Sequence, residues 1–183
     1  MYIERQLEKK FIAINEEYAC VLLTGPRQVG KSTMLLHRMG GTARAEVSLD
    51  DLGELKLAKT DPAMFLKLHP APVLIDEVQY APELFSYIKI AVDNGAAPGS
   101  YWLTGSQSYR LMELAQESLA GRTAILHMSA LSQSELCGAM EVSPFSLELD
   151  ELQKRKAVLS PATPNEIYQR IWDGALPGHR SGK

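Results

Sequence analysis

Cysteine is scarce in this chain, and the two present, Cys20 and Cys137, form no paired-cysteine spacing. They read as buried, reduced thiols, and the fold needs no disulfide staple. No apolar run approaches the roughly 18 residues that a membrane span requires. The N-terminus, Met1 to Lys10, carries charges where a signal peptide would be apolar. A basic excess is missing as well. Lys and Arg number 19 against 22 Asp and Glu, a net charge of −3, which argues against a general nucleic-acid coat. The four histidines show no metal-ligand spacing. No repeat or low-complexity segment is present. These absences together point to a cytoplasmic, reducing setting with no membrane contact and no support for a nucleic-acid partner.

What is present is an ordinary globular balance, with 45% hydrophobic and 22% charged residues over 183 positions. A chain of this size buries roughly 70% of the surface its unfolded form exposes. One domain, 1–158, is expected to be followed by a linker, a short helix and a loose tail over 159–183. Ile3, Leu7, Phe11 and Ile14 recur at helical spacing. Five short apolar runs follow, beginning at Ala19, Ala45, Pro72, Tyr101 and Thr123, with helical patterns between them. The helix after the second run is broken at Asp61-Pro62, and Leu111, Leu114, Ser118 and Leu119 share one face of a helix after the fourth. Ser132-Gln-Ser-Glu135 is a capping box, and Asn165 is placed to cap a last helix, Glu166 to Trp172. Such alternation predicts an α/β fold, three layers with a mainly parallel five-stranded sheet.

The first apolar run enters Gly25-Pro26-Arg27-Gln28-Val29-Gly30-Lys31-Ser32-Thr33, which fits G-x-x-x-x-G-K-[ST], the Walker A or P-loop pattern. Its glycines let successive N–H groups turn toward phosphate oxygens, and the helix starting near Lys31 adds positive charge at its N-terminus. Lys31 would reach the β- and γ-phosphates, the Ser32 hydroxyl would bind Mg²⁺, and Thr33 would lie near the α-phosphate. The third run ends in Asp76-Glu77, a Walker B pattern. In open α/β sheets ligands sit at the carboxyl ends of strands. Asp76 would therefore hold Mg²⁺, and Glu77 would polarise the water that attacks the γ-phosphate. A water-activating carboxylate fits an NTP hydrolase better than a P-loop kinase. The guanine-reading Asn-Lys-x-Asp is absent, which favours ATP.

Thr104-Gly-Ser-Gln107 closes the fourth run. Ser106 is the first choice for a γ-phosphate sensor, ahead of Thr104 and Gln107, with a helix cap as the alternative. Arg122 is open between a catalytic arginine inserted into a neighbouring subunit and a surface arginine at a helix end. Arg27 either leans over the phosphates or pairs with a neighbouring segment. Asp50-Asp51 either faces the site or, the favoured reading, caps the next helix. Trp102 and Trp172 read as packing residues.

Taken in order, Thr24 to Ser32, Val47-Ser-Leu-Asp-Asp51, Leu74-Ile-Asp-Glu-Val-Gln79, Leu103-Thr-Gly-Ser106 and Ser118-Leu-Ala-Gly-Arg122 closely resemble the prokaryotic AAA+-superfamily ATP-binding proteins. Their P-loop reads Gly-Pro-Arg-x-x-Gly-Lys-[Ser/Thr] and their acidic strand Asp-Glu-[Ile/Val]-Gln. The resemblance spans roughly residues 1 to 178. It implies an additional-strand P-loop core with the P-loop strand central, ATP and Mg²⁺ as ligands, and the roles given to Lys31, Ser32, Asp76, Glu77 and Ser106. It also implies a C-terminal domain of winged-helix and nuclease-like character, so the chain reads as an excised domain or a short member. The function expected is ATP hydrolysis, weak in the isolated domain, that drives or resets a conformational change. The alternatives are a nucleotide-gated interaction switch with negligible turnover and, behind it, a P-loop kinase. A homo-oligomer and a partner protein are both open as assemblies.

Overall fold

The computed structural model describes residues 2–41, 43–106, 113, 119–138, 146–158 and 162–179. Helix α1 (Leu7–Asn15) leads into strand β1 (Cys20–Gly25), the P-loop and α2 (Lys31–Met39). Then come β2 (Ala45–Ser48), α3 (Leu52–Thr60), α4 (Pro62–Leu68) and β3 (Val73–Asp76). A 3-10 turn (Val78–Tyr80), α5 (Leu84–Asp93), β4 (Tyr101–Ser106) and β5 (Thr123–His127) complete the sheet region. Three further helices follow: α6 (Gln133–Leu136), α7 (Leu149–Val158) and α8 (Pro164–Asp173).

All five strands are parallel, in the order β2-β3-β4-β1-β5. The P-loop strand is interior, between β4 and β5, while β4 is the middle strand. The sheet is packed on both faces, so its strands are continuous apolar runs rather than alternating ones. Period-two geometry divides those runs between two cores. Cys20, Leu22, Val73, Ile75 and Leu103 point toward α3, α4 and α5, against Ala58, Phe65, Phe85 and Ile88. Val21, Leu23, Leu74 and Trp102 point to the other face, against Phe11 of α1 and Met34 and Leu35 of α2. Leu22 and Leu23 are fully buried, each stabilising by roughly 1.5–3 kcal/mol relative to exposure.

Capping sets the helix starts. Asp51 Oδ1 accepts from the N–H groups of Gly53 and Glu54, and Asp61 Oδ1 accepts from Met64 N–H ahead of Pro62. The expected break at Asp61-Pro62 is thus a C-cap and an N-cap in one residue. Ser132 and Glu135 form the expected capping box. The last helix departs from expectation: Thr163 with Glu166, not Asn165, makes its box, and Pro164 occupies the first turn, where its missing N–H costs nothing. Within the expected loose tail, Leu131 N–H donates to Ala175 O at 2.9 Å and Leu176 packs on the α1/α2 core, so these two residues lie against the body; 180–183 lie outside the described residues. Trp102 is buried as expected, whereas Trp172 is 87% exposed. Cys20 is buried, which pushes its thiol up to about 12; Cys137 is exposed, against expectation. Gln107, Leu111, Leu114 and Ser118 lie outside the described residues.

The two ends of the sheet are finished differently. At the amino end the Arg44 guanidinium lies 3.7 Å from the Trp102 ring centroid and donates to the carbonyls of Val73 and Gly99. At the carboxyl end the register brings Gly25 beside Ser106 and Ser48 beside Asp76. The motif residues therefore share one edge.

Candidate functional site

The P-loop takes its shape from three backbone positions. Gly25 adopts φ 150°, and a Cβ there would sit 2.1 Å from the Met128 carbonyl oxygen. Met128 N–H also donates to Thr24 O at 2.8 Å, so the exit of β5 is pressed against the loop's first residue. Gln28 and Gly30 adopt φ 64° and 94°, the left-handed region, which turns the chain back over the start of α2. Val29 between them is buried and anchors the loop in the core. Lys31 is buried, and its Nζ donates to Gly25 O at 3.1 Å and Pro26 O at 2.8 Å. Burial lowers its pKa from the ordinary lysine value, a shift opposed by the Glu77 and Asp76 carboxylates and helped by Arg27.

The acidic pair follows directly from β3. Ser32 Oγ donates to Asp76 Oδ1 at 2.8 Å, and Thr104 Oγ1 donates to the same oxygen. A hydroxyl and a carboxylate thus meet at the start of α2, a hard-oxygen pair suited to Mg²⁺, which takes one or two carboxylates and keeps part of its water. Glu77 lies in the left-handed region at φ 58°, a turn that costs a non-glycine residue roughly 1 kcal/mol. Its N–H donates to Thr104 Oγ1 at 3.2 Å, so Thr104 serves the acidic pair. Ser106, one strand over, has a buried Oγ with no hydrogen-bond partner among the described residues.

Two cavities flank the loop and share Gln28, Gly30 and Thr33. One, about 440 Å³, is polar and is lined by Arg27, Lys31, Ser32, Asp50, Glu77 and Tyr80. The other, about 600 Å³, is mostly apolar and is lined by Tyr2, Ile3, Leu131, Leu176 and Pro177. Arg5 holds the second one together. Its guanidinium donates to Val29 O in the P-loop and to Ser129 O beyond β5, both at 2.7 Å, and to Glu135 Oε1 of α6 at 3.1 Å. Arg5 and Glu135 are both buried. A charged groove opening into an apolar one is the outline of a site for a nucleoside with a polyphosphate tail.

The model of the AAA domain family matches residues 17–137, which contain the P-loop, the acidic pair and Ser106. The chain belongs to the AAA domain family. Two uncharacterised proteins, from Mycobacterium bovis and Mycobacterium tuberculosis, are each 38% identical to it over 113 residues. That match takes in 61% of this chain and 25% of theirs, so the chain spans about a quarter of the length of these curated relatives. A Walker-type ATPase of Pyrococcus abyssi has a similar fold, with a TM-score of 0.57 at 16% identity, over 97% of this chain and 65% of that one.

In this AAA domain, Lys31, Ser32, Asp76, Glu77 and Ser106 come together at one edge of the sheet. Asp51 caps α3, while its neighbour Asp50 lines the polar cavity. Arg27 reaches Tyr80, with Nη2 donating to the phenol oxygen at 3.4 Å on the rim of that cavity. Arg122 stands apart. It precedes Thr123, which pairs with Cys20 at the start of β1, so it lies at the opposite end of the sheet, in an ion pair with Asp93. Sequence reasoning missed Arg5 and the apolar-cavity lining outside the P-loop, and it quoted Gln79 in the acidic-strand motif without giving it a role. The Pro-Gly pair at 177–178 was a turn signal in the tail, but nothing local tied it to the P-loop.

Proposed function

We propose that this AAA domain binds ATP with Mg²⁺ across the P-loop and hydrolyses it to drive or reset a conformational change. The observation that carries this reading is the hydrogen bond of Ser32 to Asp76, with Ser32, Glu77 and Lys31 lining one polar cavity. The triphosphate lies in that cavity, where Lys31 exchanges its bonds to Gly25 O and Pro26 O for phosphate oxygens. Ser32 and Asp76 would hold Mg²⁺, which would supply charge neutralisation to the phosphates. Glu77 orients and deprotonates the attacking water, and the Ser106 hydroxyl donates to the γ-phosphate. The base enters the apolar cavity between Tyr2 and Leu176. Arg122 lies too far from its own phosphates to act on them, so any catalytic part it takes is on another copy.

Calorimetry and phosphate-release assays test the reading. Lys31→Ala removes a charge-assisted contact worth about 1.5–3 kcal/mol and weakens ATP binding roughly tenfold to a hundredfold. Glu77→Gln binds ATP as the parent does and loses turnover down to a small, measurable residual rate. Turnover equal to the parent in Glu77→Gln removes Glu77 from the chemistry. ATP recovered intact from the parent after hours replaces the hydrolase with a nucleotide-gated switch.

A further inference from the structure

Gln79 lies beyond the acidic pair, in the 3-10 turn whose first residue, Val78, is fully buried. Its side chain is held at both ends. Oε1 accepts from the backbone N–H of Ser106 at 3.1 Å, and Nε2 donates to Glu77 Oε2. The partners fix the orientation of the amide. A backbone N–H can only donate, so the amide oxygen must face it, and the amide nitrogen then faces an oxygen of the Glu77 carboxylate. That contact occupies Oε2 and leaves Oε1 for a water. Glu77 itself rests on a left-handed backbone turn with its N–H on Thr104, so the Gln79 amide is what sets the direction of its side chain. The other anchor of Gln79 is Ser106, whose hydroxyl is buried and unpartnered among the described residues.

We propose that Gln79 is a positioning residue, which ties the orientation of the Glu77 carboxylate to the backbone of Ser106 at the end of β4. A terminal phosphate bound by the Ser106 hydroxyl is thereby felt by the residue that aims the water. Gln79 touches neither phosphate nor water. The inference rests on Glu77 being the group that orients the water, and its test is built to separate the two.

Steady-state turnover and ATP·Mg²⁺ affinity are measured for Gln79→Met, Gln79→Glu, Glu77→Gln and the double variant Glu77→Gln with Gln79→Met. Methionine keeps the length of the side chain and loses both hydrogen bonds. Glutamate keeps an acceptor for Ser106 N–H but sets a second carboxylate against Glu77. A misaligned catalytic group costs up to about a hundredfold in rate. The expected result is a fall in kcat of about tenfold to a hundredfold for Gln79→Met, a larger fall for Gln79→Glu, and unchanged ATP affinity for Gln79→Met. The double variant should turn over no more slowly than Glu77→Gln alone, because the amide acts only through that carboxylate. Parent-like kcat in Gln79→Met, with Glu77→Gln reduced to its residual rate, overturns the role of Gln79 and leaves that of Glu77 standing. Equal losses in kcat and affinity, or a further additive loss in the double variant, also overturn it, since a merely structural residue behaves that way. Parent-like turnover in Glu77→Gln removes both roles together.

Discussion

The two halves of the groove are built by different means. The polar half is local: seven consecutive residues, Arg27 to Thr33, turn over the start of α2, and the ends of β3 and β4 stand beside them by sheet register. The apolar half is assembled from three remote segments: Tyr2 and Ile3 near the N-terminus, Leu131 after β5, and Leu176 to Gly178 after α8. Arg5 ties the N-terminal segment to Val29, Ser129 and Glu135, and the Leu131 N–H bond to Ala175 O brings in the tail. Contacts across such sequence separations must overcome loop-closure entropy that a P-loop turn never meets. The polar half should therefore form with the sheet, while the apolar half depends on long-range contacts, the buried Arg5 clamp among them. On the proposed reading, triphosphate affinity and base affinity should be separable.

The most damaging way to break that division is Arg5→Ala. It strands the Glu135 carboxylate in a buried site and leaves the Val29 and Ser129 carbonyls without their donor. Removing one partner of such a pair costs about 3–5 kcal/mol, read from the urea midpoint. Arg5→Lys keeps the charge but not the fork of donors, and should recover only part of the loss. The pair also carries a pH signature. Burial raises the Glu135 pKa, but the N–H groups of Ser132 and Gln6 and the Arg5 guanidinium outweigh it and hold the carboxyl below its ordinary 4.5. A depressed folded-state pKa means the folded chain binds fewer protons than the unfolded one. The stabilisation is thus complete above about pH 4.5 and is lost as pH falls through the lower, folded value. The stability gap between the parent and Glu135→Gln should narrow on acidification across that window. A gap that stays constant would detach Glu135 from the clamp.

The same contrast explains what could be read in the sequence. Gly25 to Thr33 and Asp76-Glu77 were legible because their chemistry is written in contiguous residues at the ends of apolar runs. The parallel sheet followed from βαβ alternation and the interior place of the P-loop strand from the resemblance, and Asp61-Pro62 marked its helix boundary by backbone chemistry alone. Arg5 looked like one more charge on the polar face of an N-terminal helix; its partners lie far along the chain, and no periodicity encodes them. Leu176 sat in a Gly-rich tail that composition alone marked as loose. Leu176→Ala tests whether the tail belongs to the base half. Losing part of that apolar contact removes about 1 kcal/mol, roughly a fivefold rise in Kd for ATP. Inorganic triphosphate, which has no base, should bind as tightly as before. A parallel loss of triphosphate affinity would mean that the tail supports the P-loop itself and that the two halves are not independent.

The smallest effect is expected at Arg122, which belongs to neither half. Its pair with Asp93 is exposed, and ion pairs of that kind contribute little in water. Within one chain, Arg122→Ala should leave ATP affinity and the melting temperature as they are. Its position at the amino end of β5 keeps it away from this chain's own P-loop. Specific activity measured against protein concentration separates these cases, because only assembled copies can share a site. A parent whose activity per chain rises with concentration, beside an Arg122→Ala variant whose activity stays flat, would place the arginine in a neighbour's polar cavity. Superimposable curves would leave it as a surface partner of Asp93.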